Sequence, residues 1–221
     1  MARTDYQNQL SKLRGDVVSM SDLVLNRYDM ALKALETKDE ILARNVIEGD
    51  SEINDLYLYL EGDCIGLFAL QQPVAGDLRF IASSFKIVTD LERIGDLATN
   101  LAGYAIGAQE DRYPEIGLLH IGDETGVMVS EAIEAYKSGN TEQARTVASR
   151  DDEIDQLCEA ASEAVVEDLL RTEYSDQTED VLDDVSRLLL TIRDLERVGD
   201  HAVNICARTV YMVDHDTELI Y

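Results

Sequence analysis

The eleven residues DLERIGDLATN at 90–100 recur as DLERVGDHAVN at 194–204, an offset of 104. Upstream, ALKALETKDEILARNVIEGDSEI at 31–53 aligns without gaps on AIEAYKSGNTEQARTVASRDDEI at 132–154, an offset of 101. Self-similarity at a fixed spacing marks a chain built from like structural units. Shared packing needs would explain repeated leucines, but not repeated Glu, Arg, Asp and Asn in register. The expected organisation is two repeats, 1–111 and 112–221, divided near Pro114.

Each repeat reads as three helices. Leu10, Leu13, Val17, Met20, Val24, Tyr28, Ala31 and Leu35 step by three and four, the spacing of one helix face. A second stripe includes Ile53, Leu56, Leu60, Cys64 and Leu67. Asp39 is placed to cap a helix running to about Leu70, and Asp77 to cap one running to about Tyr104. After Pro114, helices are expected over about 116–138, 141–172 and 178–212, with Gly139-Asn140 as a stop followed by a start. Two prolines, no tryptophan and three phenylalanines disfavour a β-sandwich or barrel. The fold class is all-α: six long helices as two repeated antiparallel three-helix bundles, expected to superpose on one another.

Charge narrows the partners. Asp and Glu number 45 against 19 Lys and Arg, a net charge of −26. Nucleic acid is excluded as a partner, because binding it requires cations that neutralise phosphates. Scarce lysine, with five Lys to fourteen Arg, suggests a salt-loving organism whose medium screens the self-repulsion. Cys64, Cys158 and Cys206 form neither a CxxC pair nor an even framework, which argues against a disulfide scaffold or a thiolate zinc site. No secretory leader and no apolar run of about 18 residues is present, so the expected location is the cytoplasm.

The repeated segment carries the chemistry. On a helical wheel Leu91, Ile94, Leu97, Ala98 and Leu101 face a core, and Glu92, Asp96 and Asn100 line an opposite ridge at i, i+4, i+8. Glu196, Asp200 and Asn204 repeat that ridge. On the preceding helices Asp50 and Asn54, and their counterparts Asp151 and Asp155, lie level with the ridges if the hairpins are antiparallel. Crowded carboxylates repel unless protonated or bridged by a cation, and an oxygen-rich set suits Mg²⁺, Ca²⁺, Mn²⁺ or iron. These ten residues are the candidate metal ligands; a solvated acidic face is the competing reading. Asp90 and Asp194 point away from the ridge and are left out. Arg93 and Arg197 are placed for salt bridges within their helices, and His201 is turned off the ridge. Gly95 and Gly199 interrupt the same helices, as expected where a backbone or ligand approaches closely or where helices cross. With no Glu-x-x-His, P-loop, GxGxxG or nucleophile elbow, nothing identifies a catalytic residue.

The residues Glu92-Arg93-Ile94-Gly95-Asp96 and Glu196-Arg197-Val198-Gly199-Asp200, together with VIEGD at 46–50, QPVAGDLR at 72–79 and NIC at 204–206, resemble the PhoU family of phosphate-specific transport system accessory proteins. That resemblance covers nearly the whole chain. It implies a non-enzymatic adaptor that restrains phosphate uptake through the ATPase subunit of a phosphate ABC transporter and, in many bacteria, a sensor kinase. It also implies a homodimer, and multinuclear iron or zinc clusters on the acidic motifs of some members. The alternative is a metal-dependent phosphohydrolase or a carboxylate-bridged metalloprotein. Asn54 stands where the second copy has Asp155, so the first cluster is expected to be the weaker.

Overall fold

Asp39 accepts hydrogen bonds from the backbone N–H groups of Ile41 and Leu42 at 2.9 and 3.0 Å, and so begins a helix where the sequence places one. Equivalent caps organise the second repeat. Gly139 ends a helix in the left-handed region at φ 70°, and the Asn140 side chain accepts from Gln143 N–H at 3.1 Å to start the next. The computed structural model describes residues 3–70, 74–106, 117–171 and 178–220. Its helices are α1 (Arg3–Thr37), α2 (Glu40–Glu48), α3 (Asp50–Leu70), α4 (Ala75–Ala105), α5 (Leu118–Ser138), α6 (Thr141–Ala148), α7 (Asp151–Arg171) and α8 (Thr178–Asp214), with no strand among the described residues. Pro73, Pro114 and the boundary expected at 111/112 lie outside the described residues.

Two expectations need correction. The helices expected over 39–70 and 141–172 are each interrupted, giving α2–α3 and α6–α7. The breaks fall at equivalent places, Gly49 and Ser149-Arg150. A guanidinium fills each junction. Arg27 of α1 lies against Gly49, where a Cβ would sit 2.5 Å from its Cζ, and reaches Glu52 at 2.9 Å. In the second repeat Arg150 itself turns to Glu124 and Glu131 of α5 at 2.5 and 2.8 Å. Asp77 is not a cap either: α4 starts at Ala75 behind Val74, and Asp77 stands in its first turn, where a negative charge still complements the helix dipole.

Each three-helix unit is an antiparallel hairpin pair closed by its first helix. Tyr6 of α1 donates to the Leu67 carbonyl, while Arg27 meets Glu52, so α1 runs against α2–α3. The units join in the same sense. Tyr28 of α1 bonds Thr125 of α5, while Arg14 reaches the Lys137 carbonyl. The α4–α8 contact is likewise antiparallel, with Asp90 beside Asn204 and Tyr104 beside Asp194. The stripes read from the sequence form the core: Leu13, Val17, Met20, Val24, Leu60, Cys64, Leu91, Ile94 and Leu101 are all buried, in one cluster that runs through both units. The three cysteines are free and buried. No described helix is long and apolar enough to cross a membrane.

Candidate functional site

The acidic ridges lie on α4 and α8, and the starts of α3 and α7 come up beside them. Ile53 against Gly95 and Thr99 against Asp50 set the level in the first unit. Ile154 and Asp151 against Gly199 set it in the second. The Gly95 position serves a helix crossing: a Cβ there would meet the Ile53 side chain at 3.0 and 3.1 Å. Gly199 is looser, its nearest neighbour being Ile154 at 3.5 Å.

Within the first unit the acids are largely matched. Asp50 accepts from the Asn54 amide at 2.8 Å and from the Thr99 hydroxyl at 3.2 Å. Arg93 pairs with Asp96 at 3.1 Å, the intrahelical bridge expected of it, and approaches Glu92 at 3.4 Å. Glu92 is held above the usual carboxyl range by burial, then by Asp96.

The second unit is different because its sequence is. Asn54 is replaced by Asp155 and Thr99 by Val203, so both donors to the first unit's Asp50 have non-donating counterparts beside Asp151. Burial, reinforced by Asp155, Asp200, Asp152 and Glu196, pushes the Asp151 carboxyl up to about 6. Glu196 and Asp200 are raised by burial and by Asp155. The four acids Asp151, Asp155, Glu196 and Asp200 thus form one coupled group. Its hard oxygen donors suit a divalent cation, but among the described residues no three Asp, Glu, His or Cys side chains converge closely enough to hold one.

Asn100 and Asn204, placed on the ridges by the wheel, are engaged elsewhere. Asn100 donates to Asp194 at 3.2 Å and Asn204 to Asp90 at 3.3 Å, both across the α4–α8 contact. Asp194 is fully buried, and also receives Tyr104 at 2.9 Å and Arg193 at 2.9 and 3.1 Å. Arg197 lies 3.7 Å from it, its i−3 partner. Asp90 faces Nδ1 of His201 at 3.0 Å. The aspartates excluded from the ridge are therefore working residues, used in joining the two units. The signal was available: Asp90 and Asp194 repeat in register, each ten residues before a repeated asparagine.

Fold and site together define an internally duplicated protein, all-helical in its described residues, that carries a carboxylate ridge on the last helix of each unit, α4 and α8. The PhoU domain model matches twice, over residues 17–105 and 118–209. The chain is 35% identical over 211 residues to phosphate-specific transport system accessory protein PhoU homolog 1 of Methanothermobacter thermautotrophicus, covering 94% of each. It is 31% identical to the PhoU homolog of Clostridium acetobutylicum, covering 96% of each. The crystal structure of PhoU from Pseudomonas aeruginosa superposes with a TM-score of 0.88 at 32% identity, covering 96% of this chain and all of that one. This chain belongs to the PhoU family.

Proposed function

We propose that this chain is a regulatory accessory protein of phosphate transport, which restrains uptake when phosphate is plentiful, and is not an enzyme. The observation that carries this is the double family match, supported by relatives named as accessory proteins of phosphate-specific transport systems that align over 94% and 96% of the chain. The partner in this reading is the ATPase subunit of a phosphate ABC transporter. Deleting the gene should raise phosphate uptake in phosphate-replete cells; unchanged uptake would count against the reading. A phosphohydrolase is not favoured, since the relatives are named as transport accessory proteins and the ridge carries no histidine.

The acidic ridges serve, in this proposal, as cation sites coupled to that regulation, with the group of Asp151, Asp155, Glu196 and Asp200 the tighter one. In support, these acids repel one another without the amide and hydroxyl donors that relieve the first unit. Adding Mn²⁺ or Zn²⁺ to chelator-stripped protein should stabilise it by roughly 2.7 kcal/mol at about 100-fold excess over Kd. Asp200→Asn should lose more of that shift than Asp96→Asn, which is already paired with Arg93. If neither metal moves the melting point, the ridges are a solvated face.

A further inference from the structure

On a chain of net charge −26, the outward face of α3 carries no charge along Leu58, Gly62, Ile65 and Ala69. These residues share one side of the helix, opposite buried Leu60, Cys64 and Leu67. Leu58 is 61% exposed and Ile65 56%. Gly62 and Gly66 sit in mid-helix with nothing within 4 Å of where a Cβ would be, so no packing inside the chain requires them, and each weakens the helix. They border a groove of about 280 Å³ between α1 and α3, floored by Leu13 and Leu67.

The duplication supplies an internal control. At an offset of 101, the strip positions 58, 62, 65 and 69 correspond to Glu159, Glu163, Val166 and Leu170 on α7, all exposed to solvent. The core register is kept, with Ile53 and Ile154, Leu60 and Ala161, and Cys64 and Val165 buried alike. The same helix in the second unit carries glutamate at two of the four positions, so the fold does not demand Leu58 and Gly62, while Ile65 and Ala69 have apolar counterparts in Val166 and Leu170.

We propose that this face of α3 docks a helix from a different protein, one with an apolar contact side bordered by Lys and Arg. The glycines let a second helix approach the α3 backbone, with Leu58 and Ile65 covered by its side chains. Charge selects the margins. Asp55, Glu61 and Asp63 flank the apolar strip, and the nearby cation Lys12 is already engaged by Asp16 at 2.7 Å and Asp63 at 3.5 Å. A second copy of the chain, or an anionic lipid surface, would set like charge against these acids. The inference concerns this surface and does not depend on the phosphate reading.

The probe is a fluorescein-labelled helical peptide of about 20 residues, the length of α3, with a Leu/Ala face and Lys margins, and a twin with Glu margins. Anisotropy at about 0.15 M salt should show saturable binding of the Lys peptide and much weaker binding of its twin. Leu58→Glu/Ile65→Glu should weaken the Lys peptide roughly tenfold or more, although it adds attractive charge. Gly62→Leu should do the same by filling the groove, and Val166→Glu on α7 should not. Circular dichroism establishes that each variant is folded. Unaltered binding by both α3 variants, or equal loss from Val166→Glu, overturns the proposal. So does a wild-type dimer that Leu58→Glu/Ile65→Glu converts to monomer, which assigns the face to a second copy. Flotation with phosphatidylcholine/phosphatidylglycerol vesicles by wild type but not by the double variant also overturns it, and assigns the face to a membrane.

Discussion

Asn100 of α4 donates its side-chain amide to Asp194 of α8 at 3.2 Å, and Asn204 of α8 returns the bond to Asp90 of α4 at 3.3 Å. Each unit supplies one aspartate and one asparagine to the other. The residues at the two ends of the repeated segment are thus committed to assembly, while Glu92, Asp96, Glu196 and Asp200 within it remain on the ridges.

The two bonds are not equal in surroundings, and this can be measured. Asp194 is fully buried and gathers Asn100, Tyr104 and Arg193, whereas Asp90 is partly open to solvent beside His201. Asp194→Ala leaves the Asn100 amide and the Tyr104 hydroxyl without their acceptor, and should cost about 3 kcal/mol. Asp90→Ala should cost clearly less. Urea denaturation of the two variants gives the comparison.

The two mid-helix glycines should respond oppositely to alanine. At Gly199 the added methyl meets Ile154 at an ordinary contact distance, so Gly199→Ala should stabilise by up to about 1 kcal/mol through helix propensity. At Gly95 the methyl is pressed against buried Ile53, so Gly95→Ala should destabilise, with partial recovery in Gly95→Ala/Ile53→Val. Melting temperatures of the four proteins test this.

Protonation should favour the second unit. The folded-state carboxyl of Asp151 lies near 6, above its ordinary 3.8, so the folded chain holds this proton more tightly than the unfolded one. Its contribution to stability is complete below about pH 4 and is lost as pH rises through 6. Asp151→Asn should therefore gain on wild type between pH 4 and pH 7.5 in chelator-treated buffer. The gain should be on the order of 1 kcal/mol after solvent screening, or a few degrees in melting temperature. A constant difference across that range would rule this out.

Salt should stabilise the whole chain. With a net charge of −26, raising KCl from about 0.1 M to about 3 M shortens the Debye length from about 10 Å to under 3 Å and screens the self-repulsion. The melting temperature should climb across that range. A flat or falling trend would argue against adaptation to a saline interior.

The apolar stripes and the duplication made the fold legible, because both are periodic and periodicity survives in one dimension. Asp39 and Gly139-Asn140 were legible as caps for the same local reason. The breaks at Gly49 and Arg150 were not: Gly49 yields to a guanidinium from α1, twenty-two residues away in sequence, and the junction at 149–150 is held by acids on α5. Levelling Asn54 with Asp96, and Asp155 with Asp200, needed only hairpin geometry: Ile53 lies against Gly95, and Asp155 lies near enough to Asp200 to raise its carboxyl, though among the described residues no three acids converge on one point. A single-helix wheel left Asn100 and Asn204 on the ridge and Asp90 and Asp194 off it, because it knows nothing of the helix packed alongside. Only the α4–α8 contact reveals what those side chains touch.

Tyr28 is completely enclosed, with its hydroxyl on Thr125 of the other unit, and the buried cluster runs unbroken from one unit into the other. The duplication is therefore one of sequence and not of thermodynamics. Neither copy keeps a private interior, and pulling them apart would wet both. Heating should melt the two together in a single calorimetric peak, as one cooperative body rather than two beads on a string.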